Sequence, residues 1–122
     1  MSYEVDGIKQ VEFNELQEII NEGKSEPIVI DVREPEEYVE GHIANIPLIP
    51  MHNLPALIDE FDKEKEYLFV CRSGNRSQNV AHFFKDRGFE KVSNYAGGML
   101  AWQGELATGM ERVVSDVKEL YK

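Results

Sequence analysis

Apolar positions along this chain recur with two different periods, and the period changes repeatedly from one end to the other. "IKQVE" (Ile8–Glu12) reads as a short strand, and "NELQEIINEG" then places Leu16, Ile19 and Ile20 at helical spacing with Gly23 as a stop. "IVIDV" (Ile28–Val32) is a β-branched run without polar alternation until Asp31, the pattern of a strand covered on both faces. "PEEYVEG" (Pro35–Gly41) predicts a short helix, with proline in its first turn, acids near its start and glycine at its end. "NIPLI" predicts another short strand and "LPALIDEF" a helix of about two turns. "YLFV" (Tyr67–Val70) is a second buried-strand run, followed by a helix in "SQNVAHFFKDRG", where Val80, Phe83 and Phe84 keep the period. "KVSNY" closes the series as a last strand, and "GGMLAW" turns on glycine into a helical turn. In the tail, Met110, Val113, Val114, Val117, Leu120 and Tyr121 fall on one face of an amphipathic helix.

Strand and helix alternating in this way predict an α/β domain with a mostly parallel sheet. Ligands of such sheets sit beyond the carboxyl ends of the strands. Asp31 and Cys71 end the two most apolar strands, so two chemically active side chains are expected at one edge.

Composition narrows the classes. The 122 residues suit one compact domain, and 42% hydrophobic with 30% charged residues is an ordinary globular balance. No run is apolar enough for a signal peptide or a membrane span, which predicts a cytoplasmic protein with no membrane partner. A formal net charge of −10 argues against nucleic acid as a partner. The single cysteine excludes an internal disulfide. One cysteine and three scattered histidines give no metal-ligand spacing, and no glycine-rich nucleotide loop is present, so no metal or cofactor is expected. Glu34, Glu36, Glu37 and Glu40 read as a solvated acidic face. Against that background Arg72 and Arg76, packed around Cys71, reverse the local sign of charge.

A strand ending at Cys71, a loop containing Gly74 and a helix beginning near Arg76–Ser77 would wrap backbone N–H groups around the thiol. Successive amides in such a turn form an anion-binding nest, and the helix start adds positive potential. Together with the arginines these features stabilise negative charge on sulfur. Cysteine suits attack on a soft atom such as sulfur, and arginine suits the oxygens of an oxyanion. The plain alternative is an inert buried thiol beside solvated arginines. Four residues separate Cys71 from Arg76. Protein tyrosine and dual-specificity phosphatases carry one more, which widens the amide ring for a tetrahedral phosphate or arsenate. The shorter loop fits a single sulfur bonded to the cysteine.

Three segments in order resemble the rhodanese homology family of sulfurtransferases: "IDVREPEEYVEGHI" (Ile30–Ile43), "VCRSGNRS" (Val70–Ser77) and "YAGGMLAW" (Tyr95–Trp102). The resemblance covers roughly Ile8 to Gly104, a domain of residues 1–104, and leaves 105–122 as an extension. It implies a five-stranded, mostly parallel sheet flanked by helices on both faces. It also implies transfer of sulfur from an anionic donor such as thiosulfate, through a persulfide on Cys71, to an external thiol or protein acceptor. By this match Cys71 is the nucleophile, and Arg72, Ser73, Gly74, Asn75, Arg76 and Ser77 form the loop that holds the donor and persulfide. Asp31 and Arg33 match the signature's acid and base, as braces for the loop or as a structural cap. His42 reads as a turn histidine bonded to backbone, Trp102 as packing near the pocket, and His52 and His82 carry no motif. Two other readings use the same scaffold: a non-catalytic protein-binding module, and a phosphatase or arsenate reductase. The extension is expected to be a helix packed on the domain, with a homodimer contact as the alternative.

Overall fold

A computed structural model describes residues 3–121. The chain opens with a hairpin that the pattern did not announce: β1 (Tyr3–Val5) pairs antiparallel with β2 (Ile8–Val11). The turn residues Asp6 and Gly7 both have positive φ, the backbone that matches the twist of a two-residue hairpin. Helix α1 (Phe13–Glu22) ends on Gly23 in the left-handed region, whose N–H returns to the Ile20 carbonyl. Next come β3 (Ile28–Asp31), α2 (Pro35–Glu40) and the two-residue β4 (His42–Ile43). The predicted "LPALIDEF" helix is a single α turn, α3 (Leu54–Leu57), between two 3-10 turns. After β5 (Tyr67–Val70) lie α4 (Asn75–Asp86), β6 (Val92–Tyr95), α5 (Gly98–Ala101) and β7 (Leu106–Ala107).

The main sheet has the order β1-β2-β6-β5-β3, and every pairing except the hairpin is parallel. Strand parity divides its side chains between two faces. Ile8, Ile30, Phe69, Cys71 and Val92 point to the side where α4 contributes Val80, Ala81 and Phe84. Val11, Val29, Leu68, Val70 and Tyr95 point to the other, where α1 contributes Leu16. Both faces are therefore covered, which is why the strands read as unbroken apolar runs.

The expected strand "NIPLI" is reduced to a bridge. Leu48 pairs with Asp31 on one side and Val113 on the other, so this segment and the tail extend the sheet past β3. The tail itself is not an amphipathic helix. It runs extended through Arg112–Val114, with Leu48 N–H donating to the Arg112 carbonyl and Val114 N–H to the Leu48 carbonyl, and only Val117–Tyr121 form a 3-10 turn. Val114 and Val117 are buried while Val113 and Met110 are exposed. The adjacent β-branched pair Val113–Val114 favours an extended edge, where alternate residues face opposite sides.

Candidate active site

The carboxyl edge of the parallel strands brings together the ends of β3, β5 and β6. Cys71 follows β5 there, two residues after Phe69 and on the α4 face. The loop from Cys71 into α4 depends on glycine at two places. Gly74 has φ +99°, and a Cβ on it would run into the Ala96 carbonyl. Gly98 has φ +61°, and a Cβ on it would meet the carbonyls of Cys71 and Arg72. With no side chain at either point, the α5 turn closes on the loop: Met99 N–H donates to the Cys71 carbonyl and Leu100 N–H to the Arg72 carbonyl.

Around the sulfur, the Gly74 N–H donates to Cys71 Sγ at 3.1 Å, and Ser77 Oγ lies 3.2 Å from the same atom. Cys71 is fully buried in this conformation. Burial alone would suit an inert core thiol, but such a thiol sits among apolar groups. Cys71 does pack in the apolar cluster of the α4 face, but two polar groups also lie within reach of its sulfur, the Gly74 N–H and the Ser77 hydroxyl, at the start of a helix of 12 residues. The two polar partners outweigh the burial as a guide to what the sulfur is for.

The two loop arginines part company. Arg72 is exposed, whereas Arg76 turns its planar fork onto Glu37 of α2, with Nη1–Oε1 at 2.7 Å and Nη2–Oε2 at 2.8 Å. The Arg76 hydrogen bonds hold the Glu37 carboxyl down to about 2 against the pull of burial, helped by the cap it makes to Glu34 N–H. Glu37 raises Arg76 in return. Glu37 is thus not part of a solvated acidic face. It closes the capping box of α2 with Glu34 and clamps the Cys71 loop from outside through Arg76. The acid-x-x-acid spacing at the start of "EPEEYVE" is the signal that could have found it.

Asp31 and Arg33 meet in a buried bidentate pair, with Arg33 Nη2–Asp31 Oδ2 at 2.8 Å. Arg33 continues to the carbonyls of Gly41 and Glu37. The side-chain pair therefore anchors α2 directly, and Glu37 links that helix on to Arg76 of the Cys71 loop. His42 accepts its place in the turn by a bond between Nδ1 and the Tyr38 carbonyl at 2.8 Å, and its Nε2 meets Glu111 of the tail at 2.9 Å. Trp102 packs edge-on against Phe13 at 5.2 Å. Ser73 and Asn75 are exposed on the rim of the loop.

Sequence reasoning missed the floor of the site. Asn94 in β6 and Gln10 in β2 occupy inward positions on the α4 face, each 3% exposed. Asn94 Oδ1 receives the Ser77 hydroxyl at 2.5 Å, and Asn94 Nδ2 donates to the Gly74 carbonyl at 3.1 Å and to Gln10 Oε1 at 2.9 Å. A polar residue at a core position of a short strand was the signal, legible once the inward face of "VSNY" is known. Among the described residues no group of three or more histidine, cysteine or acidic side chains forms a metal site, and no helix is long and apolar enough to cross a membrane.

Residues 12–105 match the Rhodanese-like domain, and the chain belongs to that family. It is 46% identical over 98 residues to the putative sulfurtransferase YtwF of Bacillus subtilis, covering 80% of this chain and 93% of that one. It is 34% identical over 100 residues to the thiosulfate sulfurtransferase GlpE of Coxiella burnetii, covering 82% and 92%. Among solved structures, a rhodanese-like domain protein from Staphylococcus aureus superposes with a TM-score of 0.72 at 35% identity, over 82% of this chain and 97% of that one. The rhodanese-like fold with its mostly parallel five-stranded sheet is as expected.

Proposed function

We propose that the protein is a cytoplasmic sulfurtransferase that carries sulfane sulfur on Cys71 from an anionic donor, thiosulfate being the representative, to an external thiophile. Sulfurtransferases among the relatives of similar length support the general activity. The observation that carries the assignment to Cys71 is the pair of donors converging on its sulfur, the Gly74 N–H and the Ser77 hydroxyl, at 3.1 and 3.2 Å.

In the first half-reaction the Cys71 thiolate attacks the outer sulfur of the donor. A Cys–S–S bond forms, the donor's S–S bond breaks, and its electron pair leaves with sulfite. Exposed Arg72 is the guanidinium free to meet the donor's oxygens as the loop rim admits them, while Arg76 braces the loop through Glu37. In the second half-reaction a thiol, a protein or cyanide attacks the outer sulfur and the Cys71 thiolate leaves. The Gly74 and Ser77 donors stabilise that thiolate in both directions. With one cysteine in the chain no internal thiol can resolve the persulfide, so the acceptor comes from outside. The loop, one residue shorter than that of the phosphatases, fits a sulfur atom better than a phosphoryl group.

Intact mass of wild type and Cys71→Ser after thiosulfate, and again after cyanide, tests the cycle. Wild type alone is expected to gain one sulfur atom and to lose it to cyanide. No gain on wild type, or an equal gain on Cys71→Ser, overturns the assignment.

A further inference from the structure

The polar side chains under the loop form a ladder that runs in one direction only, from half-buried Gln78 to buried Gln10 and Asn94. Each amide nitrogen is fixed by a backbone carbonyl, which can accept but not donate. Asn94 Nδ2 donates to the Gly74 carbonyl at 3.1 Å, Gln10 Nε2 to the Ile8 carbonyl at 3.0 Å, and Gln78 Nε2 to the Val5 carbonyl at 3.0 Å. The amide oxygens then follow without freedom to flip: Gln78 Oε1 accepts from Gln10 at 2.7 Å, and Gln10 Oε1 accepts from Asn94 at 2.9 Å. At the upper end one acceptor remains, Asn94 Oδ1, and it faces the Ser77 hydroxyl.

Ser77 has one proton and two acceptors within reach, Asn94 Oδ1 at 2.5 Å and Cys71 Sγ at 3.2 Å. We propose that Asn94 is a positioning residue for sulfur transfer, competing with the Cys71 sulfur for the single Ser77 proton and so setting how strongly that hydroxyl supports a charged sulfur. When the sulfur is a thiol, Ser77 donates to Asn94 and its oxygen accepts the S–H. When the sulfur is a thiolate, the Ser77 hydroxyl rotates about its Cβ–Oγ bond and donates to sulfur, leaving Asn94 Oδ1 without that donor. No covalent bond other than S–H changes, and that proton leaves to solvent. Ser77 is fully buried and Asn94 nearly so, so solvent does not offer either group a substitute.

This inference rests on Cys71 being the reactive sulfur, but its test needs no sulfur donor. The ultraviolet absorbance of the thiolate at neutral pH, with Cys71→Ser as the blank, reads how much charged sulfur each variant holds. The charged and titratable groups around the loop stay the same throughout: Arg72, the Arg76–Glu37 pair, the Asp31–Arg33 pair, and His82, 3.4 Å from Gln78 at the foot of the ladder. Ser77→Ala removes the donor and is expected to lower the thiolate-to-thiol ratio about tenfold. Asn94→Val removes the competing acceptor, fills the space against water and is expected to raise that ratio. Ser77→Ala/Asn94→Val is expected to match Ser77→Ala alone, because the proposal routes the Asn94 effect through Ser77; an effect carried by its other bond, to the Gly74 carbonyl, would survive in the double variant. Gln10→Met, which removes one of the two acceptors that hold the Asn94 amide and leaves its bond to the Gly74 carbonyl, is expected to shift the signal in the same direction as Asn94→Val by less, and keeps the test decisive where Asn94→Val does not fold. Shifts of the same sign in Ser77→Ala and Asn94→Val, an Asn94 effect that survives in the double variant, or an unmoved signal in Gln10→Met overturns the proposal. Failure of the mass experiment with intact opposing shifts would instead count against thiosulfate as donor.

Discussion

The Cys71 loop and the carboxyl-terminal tail are both tied to the sheet by hydrogen bonds, yet the two sets of bonds are arranged differently. In the loop they converge: Gly74 N–H and Ser77 Oγ meet at one sulfur, Asn94 serves both Ser77 and Gly74, and the α5 amides close on the Cys71 and Arg72 carbonyls. In the tail they are spread out, from Gly109 on Val39, through Arg112 and Val114 on Leu48, to the Tyr121 hydroxyl on Tyr67. Convergence fixes one atom within a narrow geometry, and any displacement there is felt by the chemistry. Distribution secures a length of chain, and losing one tie costs stability without moving the sulfur.

The strongest way to break the comparison is Gly74→Ala. The new Cβ must enter space held by the Ala96 carbonyl, at a φ of +99° that alanine avoids. We expect a stability loss of about 3 kcal/mol together with loss of sulfur loading on the molecules that remain folded. Chemical denaturation and intact mass on the same sample measure the two effects. Val117→Ala, in the tail, is the counterpart. Val117 is fully buried against the α4 face, so its truncation should cost about 2 kcal/mol from lost transfer energy and a residual cavity. Loading per folded molecule should stay as in wild type. A fall in the loading rate of Val117→Ala comparable to that of Gly74→Ala would mean that the tail and the loop are one coupled unit.

The two regions also differ in how far the chain announces them. Cys71, Gly74 and the start of α4 follow from an apolar strand, a glycine and a helix start within a few residues, all local signals. Glu37 and Asn94 did not, because their partners lie 39 and 17 residues away in sequence. A carboxylate in an acidic stretch reads as solvated until the fold brings Arg76 to it, and an asparagine in a short strand has no visible side until strand parity is fixed. The tail misled for a different reason. Val113, Val114 and Val117 satisfy a helical period about as well as an extended one, and only the open edge beside Leu48 decides between them.

Glu37 lies on the seam between the two regions, which makes it the sharpest if smallest probe. Helix α2 gives Glu37 to Arg76 of the loop, and its Val39 carbonyl accepts Gly109 N–H from the tail. The Glu37 carboxyl stands at about 2 in the folded protein against an ordinary 4.5, chiefly because of the Arg76 hydrogen bonds. A carboxylate held below its unfolded value contributes stability that is fully present above about 4.5 and is lost as pH falls from there through about 2. Because the pair is partly exposed, solvent screening limits that contribution to about 1 kcal/mol. Glu37→Gln should therefore be less stable than wild type near neutral pH by this amount, with the difference closing toward pH 2. Denaturation curves across this range check it. The same variant frees the charge of Arg76, so the KM for thiosulfate should fall at neutral pH while the tail's own contacts persist. A rise in that KM would instead show that the Glu37 clamp holds the loop open for the donor, and would make α2 part of the convergent region.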